Sequence, residues 1–149
     1  MANWWRSPDG VRVLPDGGWH VGGSAILHTP SLRYLKARLV FEEDGAFLVD
    51  GAQRVPVLVE GPPFEVTSLL LDHTSGEARA VLDDQSEERL YSDSLFMNER
   101  TGRFECLVRG GRARAVFSRD AHQTLLDWTE QEAGRFYLRV GPRRIPIRT

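Results

Sequence analysis

At 149 residues the chain is long enough to bury a hydrophobic core without disulfides or a structural metal. Its 41% hydrophobic and 27% charged residues are typical of a soluble globular protein and exclude a disordered or fibrous one. The lone cysteine, Cys106, rules out an intrachain disulfide, and no stretch approaches the ~20 apolar residues of a membrane span. The start, with Trp4 and Trp5, lacks the apolar region of a targeting segment, so we expect a cytoplasmic protein.

The net charge of −2 hides an uneven distribution along the chain. Residues 1–99 carry 8 basic and 16 acidic side chains, whereas residues 100–149 carry 11 basic and 5 acidic ones. Arginine supplies almost all of the basic charge, and its planar guanidinium suits carboxylate or phosphate partners. Two explanations stay open: the acidic and basic parts pair with each other, or the basic part binds an anionic partner.

The first predicted elements are a hairpin and a helix. Strands over residues 11–14 and 19–21 flank a Pro-Asp-Gly-Gly turn. The helix is expected to use Thr29 as its cap, with Pro30 at the first helical position, and to end at Gly45. Its apolar stripe consists of Leu32, Leu35, Leu39 and Val40.

Strand patterns then continue to residue 117. Alternating apolar residues predict hairpins across 46–59 and 65–82, followed by an acidic loop and two more strands before residue 108. Pro56 cannot donate a hydrogen bond to a sheet, which places its strand at an edge or its proline at a non-bonded position. The run 112–117 alternates arginines with small residues, so that Arg112 and Arg114 are expected to share one strand face.

The last segment repeats this order of elements. Ser118 is a candidate N-cap for a second helix, which is expected to end at Gly134, and a final hairpin closes the chain. Gly45 aligns with Gly134 at a spacing of 89 residues, and the Val-Pro-Val run around Pro56 aligns with Ile145-Pro146-Ile147 one residue further on.

The sequence therefore predicts an α+β fold of predominantly antiparallel β hairpins with two main helices, built from two related hairpin-helix-hairpin units. We expect a single compact protein over residues 1–149. Its subdomains are predicted at 1–64 for the first unit and 104–149 for the second, with connecting hairpins over 65–103.

Four motifs spread over most of the chain carry a resemblance to a known family. They are Gly18-Trp19-x-Val21-x-Gly23-x-x-Ile26, Asp44-Gly45-x-Phe47-Leu48-Val49, Val59-Glu60-x-Pro62-Pro63-Phe64 and Val108-Arg109-Gly110-Gly111-x-Ala113-x-Ala115-x-x-Ser118-Arg119. With them the chain resembles the bacterial domain-of-unknown-function family 1285. The resemblance implies an α+β fold with repeated motifs, no established activity, and a role in ligand sensing or signal transduction. The chain departs from the family pattern after Glu60, where Gly61-Pro62 stands in place of an acidic residue.

The sequence contains no specific catalytic or cofactor motif. Ser118, Asp120 and His122 lie on one helix with side chains about 100° apart per residue, which excludes a Ser/His/Asp relay among them. The paired glycines 22–23 and 110–111 are interpreted as turns, because the further glycine and lysine of a phosphate-binding loop are missing. The histidines show no metal-ligand spacing; they are His20, His28, His73 and His122. We assign no catalytic residue, no metal ligand and no cofactor.

The best remaining candidates for a ligand or partner site are arginines and one tryptophan. They are Arg109, Arg112, Arg114, Arg119 and Trp19. The arginines can pair with the chain's own acidic segments or bind an anion, and a pI of about 6.1 argues against nucleic acid.

We therefore predict a non-enzymatic module that binds a small ligand or a protein, with a role in signalling and a homodimer as further expectations. The alternatives are a small carboxylate-based hydrolase, or an anion or nucleic-acid binder that uses the Arg112 and Arg114 face.

Overall fold

The computed structural model describes residues 10–91 and 93–149 and has an α+β fold, in which two short helices accompany mixed and antiparallel sheets. The predicted fold class is confirmed. The chain divides into two compact units, Met1–Phe64 and Glu65–Thr149. The start around Trp4 and Trp5 lies outside the described residues. Within the described ranges, neither helix has the length and apolar character needed to cross a bilayer.

The first unit holds one six-stranded sheet and one helix. In chain order its elements are β1 (Val11–Val13), β2 (Trp19–Val21), β3 (Ser24–Ala25), α1 (Thr29–Ala37), β4 (Leu39–Glu42), β5 (Gly45–Asp50) and β6 (Gln53–Val59). The strands lie in the order β3-β2-β1-β6-β5-β4, and β1 is parallel to β6 while the other neighbours are antiparallel. Two three-stranded meanders, one before and one after the helix, are thus joined into one sheet.

Alternating apolar residues give this sheet its buried face. Val11, Val13 and Trp19 are at most 2% exposed, and Leu35 of α1 and Leu48 of β5 are fully buried in the same unit. Each such side chain contributes roughly 1.5–3 kcal/mol through burial of apolar surface. The period of two in the strands therefore places the buried strand side chains on one face of the sheet.

The second unit holds a six-stranded sheet, a three-stranded sheet and the second helix. Its elements are β7 (Phe64–Asp72), β8 (Glu77–Leu82), β9 (Glu87–Arg89), β10 (Leu95–Asn98), β11 (Arg103–Val108), β12 (Ala113–Phe117), α2 (Arg119–Asp127), β13 (Thr129–Glu132), β14 (Arg135–Val140) and β15 (Arg143–Ile147). The sheet orders are β10-β11-β12-β7-β8-β9 and β13-β14-β15. A parallel bridge between Phe96 and Arg148 places the end of β15 beside β10.

The helix and the following meander have the same layout in both units. α1 and α2 both span nine residues and begin 90 positions apart, and β4, β5 and β6 begin 90 positions before β13, β14 and β15. Three strands come immediately before each helix, and the first of them pairs in parallel with the last strand after that helix, as β1 with β6 and β10 with the end of β15. The sequence alignment paired Gly45 with Gly134 at a spacing of 89 residues. The structural spacing is 90 residues, so Asp44 is the position that corresponds to Gly134.

The predicted ends of both helices were wrong. α1 ends at Ala37 and α2 at Asp127, and the residues that follow form β4 and β13. Leu39 and Val40 fit a helical stripe in sequence, but in the fold they pair with Leu48 and Phe47 of β5. Ladder hydrogen bonds and burial of Leu39 thus outweigh local helix periodicity.

The caps of the two helices also differ from each other. Ser118 is confirmed as the N-cap of α2, since its Oγ accepts the Ala121 backbone N–H at 3.2 Å. Thr29 was expected to cap α1, but it is the first helical residue, and His28 occupies the cap position without a side-chain cap bond. Pro30 still suits the first turn, because proline has no N–H and the N–H groups of this turn have no acceptor within the helix.

Candidate functional site

The turn between β11 and β12 passes through three successive residues with left-handed backbone conformation. Arg109, Gly110 and Gly111 have φ values of 54°, 68° and 85°. Glycine adopts this region at no steric cost, whereas arginine rarely does. A Cβ at either glycine would meet no atom within 4 Å, so this side of the turn is open. The interpretation of Gly110-Gly111 as a turn is confirmed.

Two carboxylates hold Arg109 in this conformation. Its backbone N–H donates to Glu88 Oε1 at 2.9 Å, and its Nη1 donates to Glu88 Oε2 at 2.5 Å. Its Nη2 donates to Asp84 Oδ2. Charge-assisted bonds of this kind are roughly twice as strong as neutral ones, so they offset the strain of the left-handed arginine. They also fasten the β11–β12 turn to the β8–β9 turn.

The buried end of this cluster is Asp84, whose side chain is only 4% exposed. Its Oδ1 accepts the backbone N–H of Ser86 at 2.9 Å and the Ser86 hydroxyl at 2.5 Å. Burying an unpaired carboxylate would cost several kcal/mol, on the order of the ion's effective desolvation penalty. The Arg109 guanidinium is therefore occupied by the protein's own carboxylates and acts as a clamp between two turns.

A second buried ion pair lies among β10, β11 and β12. Glu105 is 1% exposed and accepts from Arg114 Nε at 2.7 Å and Nη2 at 3.2 Å. Asn98 Nδ2 donates to the same carboxylate at 2.7 Å. This bidentate geometry uses the guanidinium fork of Arg114 within the sheet. Arg114 thus pairs with its neighbouring strand, and 37% of its side chain is exposed.

The other predicted site residues lie on different elements. Arg112 was expected to share a strand face with Arg114, but it lies in the turn one residue before β12. Arg119 is exposed as the first residue of α2. Trp19 is 1% exposed, and its indole N–H donates to the Pro63 carbonyl at 3.0 Å. Trp19 therefore serves the core of the first unit, whereas the four candidate arginines belong to the second unit.

The uneven charge along the sequence is balanced inside each unit. Met1–Phe64 carries 6 basic and 7 acidic side chains, and Glu65–Thr149 carries 13 basic and 14 acidic ones. In the second unit, Arg109 pairs with Glu88 and Asp84, and Arg148 lies 3.4 Å from Asp93. The acidic segment before residue 100 and the basic segment after it thus meet in one unit, which favours the first of the two explanations for the charge pattern.

A groove opens beside the Gly110-Gly111 turn, with a volume of about 440 Å³. Its lining residues are Glu88, Tyr91, Asp93, Ser94, Leu107, Gly110 and Gly111. Tyr91 is 65% exposed and Leu107 37% exposed, so apolar surface lies next to two carboxylates. Two hydrogen bonds link these lining residues: Ser94 donates its hydroxyl to the Tyr91 carbonyl at 2.7 Å, and Leu107 donates its N–H to the Ser94 carbonyl at 3.0 Å.

Sequence reasoning identified the glycines of this groove but missed its side chains. Tyr91 and Asp93 lie in the connection between β9 and β10, Leu107 lies in β11, and none of them belongs to a motif. Their common feature is exposure, and the sequence signal for Leu107, an apolar residue in an alternating strand, is the same as for a core position.

The Cys106 thiol and the His122 ring are side chains of the types used as nucleophiles or bases, and both are packed within the second unit. Burial raises the pKa of the Cys106 thiol to about 12, with smaller contributions from Glu88 and Glu105, so the thiol stays neutral at physiological pH. His122 packs its ring on Phe104 at 4.8 Å. Over residues 10–91 and 93–149, no group of three or more His, Cys, Asp or Glu side chains is placed to hold a metal ion.

Comparison with known proteins gives two structural relatives. No family model and no curated protein sequence matches the chain. The crystal structure of a DUF1285 family protein from Silicibacter pomeroyi DSS-3 matches with a TM-score of 0.69 and 22% identity, over 97% of this chain and 86% of that one. A DUF1285 family protein from Shewanella baltica OS155 matches with a TM-score of 0.59 and 12% identity, over 78% of this chain and 90% of that one. The chain therefore has the fold of the DUF1285 family proteins, as its sequence motifs predicted, and no activity accompanies that fold assignment.

Proposed function

We propose that this protein is a non-enzymatic binding module whose site is the groove beside the Gly110-Gly111 turn. The observation that carries the proposal is the combination of exposed Tyr91 and Leu107 with the carboxylates of Glu88 and Asp93 in one concavity. Binding sites typically combine apolar walls with a few placed polar groups. A small organic ligand or a short peptide segment is the class of partner that fits this volume.

The clamp at Arg109 supports the proposal because it holds one wall of the groove in place. Glu88 accepts two bonds from Arg109 and also lines the groove, so its carboxylate is oriented before a ligand arrives. A wall that is already ordered lowers the entropic cost of binding. We also propose that the protein is bacterial and cytoplasmic and has a role in signalling. We propose in addition that the chain contains an internal repeat, which the 90-residue spacing between the helix-containing segments supports.

The proposal is tested by screening ¹⁵N-labelled protein against a small-molecule fragment library by NMR. A true ligand should shift the amides of Gly110, Gly111 and Leu107 together. Tyr91→Ala should weaken its binding about tenfold, equivalent to ~1.4 kcal/mol, through loss of the exposed ring. Phe136→Ala removes another exposed aromatic side chain (41%) outside the groove and should leave affinity unchanged. Shifts scattered over the surface, or equal effects of the two variants, would refute a site in this groove.

A further inference from the structure

Two turns of the second unit meet at the imidazole of His73. This residue lies in the β7–β8 turn, and its Nδ1 accepts the backbone N–H of Gly141 in the β14–β15 turn at 3.0 Å. A second contact links the same turns, because Arg143 Nη1 donates to the Gly76 carbonyl at 3.4 Å. The three-stranded sheet is therefore attached to the six-stranded sheet at this point, in addition to the bridge between Phe96 and Arg148.

The fit between the two turns is close enough to require glycine on both sides. A Cβ at Gly141 would lie 1.8 Å from the His73 carbonyl oxygen, and a Cβ at Gly76 would lie 2.7 Å from Arg143 Cδ. Both glycines have positive φ, 55° and 81°. The corresponding turn of the first unit is different, since a Cβ at Gly51 would meet nothing within 4 Å. The close contact between the β7–β8 and β14–β15 turns thus has no counterpart at Gly51 in the first unit.

The hydrogen bond depends on the protonation state of the ring. Nδ1 can accept from Gly141 only when it carries no proton, so the proton of the neutral ring must lie on Nε2. A second proton would turn Nδ1 into a donor that faces the Gly141 N–H, and the bond would be replaced by a clash of two donors. The ring also packs on Trp128 with centroids 4.1 Å apart, which leaves it little freedom to turn away.

The charged groups around His73 oppose each other. Asp72 would favour a protonated ring, but its carboxylate accepts the N–H groups of Ser75 and Thr74, which hold the pKa of Asp72 below its ordinary value. Arg143 and Arg139 lie on the β14–β15 side, and Arg139 Nη1 is 3.5 Å from the Gly141 carbonyl oxygen. Both positive charges disfavour protonation of the His73 ring. Glu130 partly neutralises Arg139, with which it pairs at 3.0 Å.

We propose that His73 is an acid-sensitive latch, whose protonation releases the β14–β15 turn from the β7–β8 turn and loosens the three-stranded sheet. Histidine is the side chain whose charge ordinarily changes between about pH 5 and 8. The latch is separate from the groove and does not depend on its having a ligand.

The test follows the Gly141 amide by NMR hydrogen exchange between pH 8 and pH 5. After correction for intrinsic exchange, its protection should fall about tenfold or more in the unmodified protein, whereas the Gly51 amide should not respond to the same change. His73→Asn supplies a non-titrating acceptor near the Nδ1 position and should keep Gly141 protected at pH 5. His122→Asn, a change at another histidine of the same unit, should leave the loss intact. Constant protection in the unmodified protein, or an equal loss in His73→Asn, would overturn the latch.

Discussion

Glu105 is a single residue whose buried carboxylate needs hydrogen bonds and a compensating positive charge from its neighbours. Arg114 supplies two hydrogen bonds and the compensating charge, with Asn98 as the third donor. Arg114→Met keeps the length of the side chain but leaves the carboxylate with only one of these partners. We expect a loss of about 2–3 kcal/mol in the free energy of unfolding, measured by urea denaturation at pH 7.

The matched comparison for this prediction is Arg144→Met. Arg144 pairs with exposed Glu132 and stacks on Tyr137 at 4.3 Å, and exposed pairs contribute about 0–1 kcal/mol. Its replacement should therefore cost clearly less than that of Arg114. If both variants unfold at the same urea concentration, burial of Glu105 does not govern the energetics of its pair.

At the scale of elements, the β14–β15 turn should tolerate side chains far less than its counterpart in the first unit. Gly141→Ala would drive a Cβ into the His73 backbone, and we expect a loss of more than about 3 kcal/mol in the free energy of unfolding. Gly51→Ala meets only the cost of left-handed backbone, about 1–2 kcal/mol. Thermal or urea unfolding of the two variants decides the matter, and similar losses would show that the contact between turns adds nothing.

Local sequence patterns predicted many elements but not their lengths or contacts. Ser118 as a cap and Gly110-Gly111 as a turn follow from short-range chemistry that needs no partner in space. Leu39 and Val40 continue the helical period of α1, and only their pairing with β5 makes them a strand. The contact of Arg109 with Glu88 joins residues 21 positions apart, and no periodicity indicates which carboxylate an arginine will meet. The groove depends on such contacts, which is why sequence alone does not locate it.

For the whole molecule, the balance of charge within each unit predicts weak attraction to polyanions. Arg109 and Arg114 are occupied by carboxylates, and Glu65–Thr149 has one more acidic than basic residue. We expect no measurable binding to a duplex or single-stranded DNA fragment at 150 mM salt, roughly the physiological ionic strength. Fluorescence anisotropy over a salt series measures this directly. Tight binding that falls steeply with salt would instead favour an arginine-based nucleic-acid surface.

The shared layout of the two helix-containing segments lets one scaffold present two different surfaces. Because every strand begins 90 positions after its counterpart, outward positions can be compared one by one. Val40, Val49 and Leu58 of the first segment correspond to Glu130, Arg139 and Arg148 of the second. At these positions the outer face of the first segment is therefore apolar and that of the second is charged, although both segments have the same arrangement of strands. At these three positions the two segments differ in side-chain chemistry and not in the order of their strands.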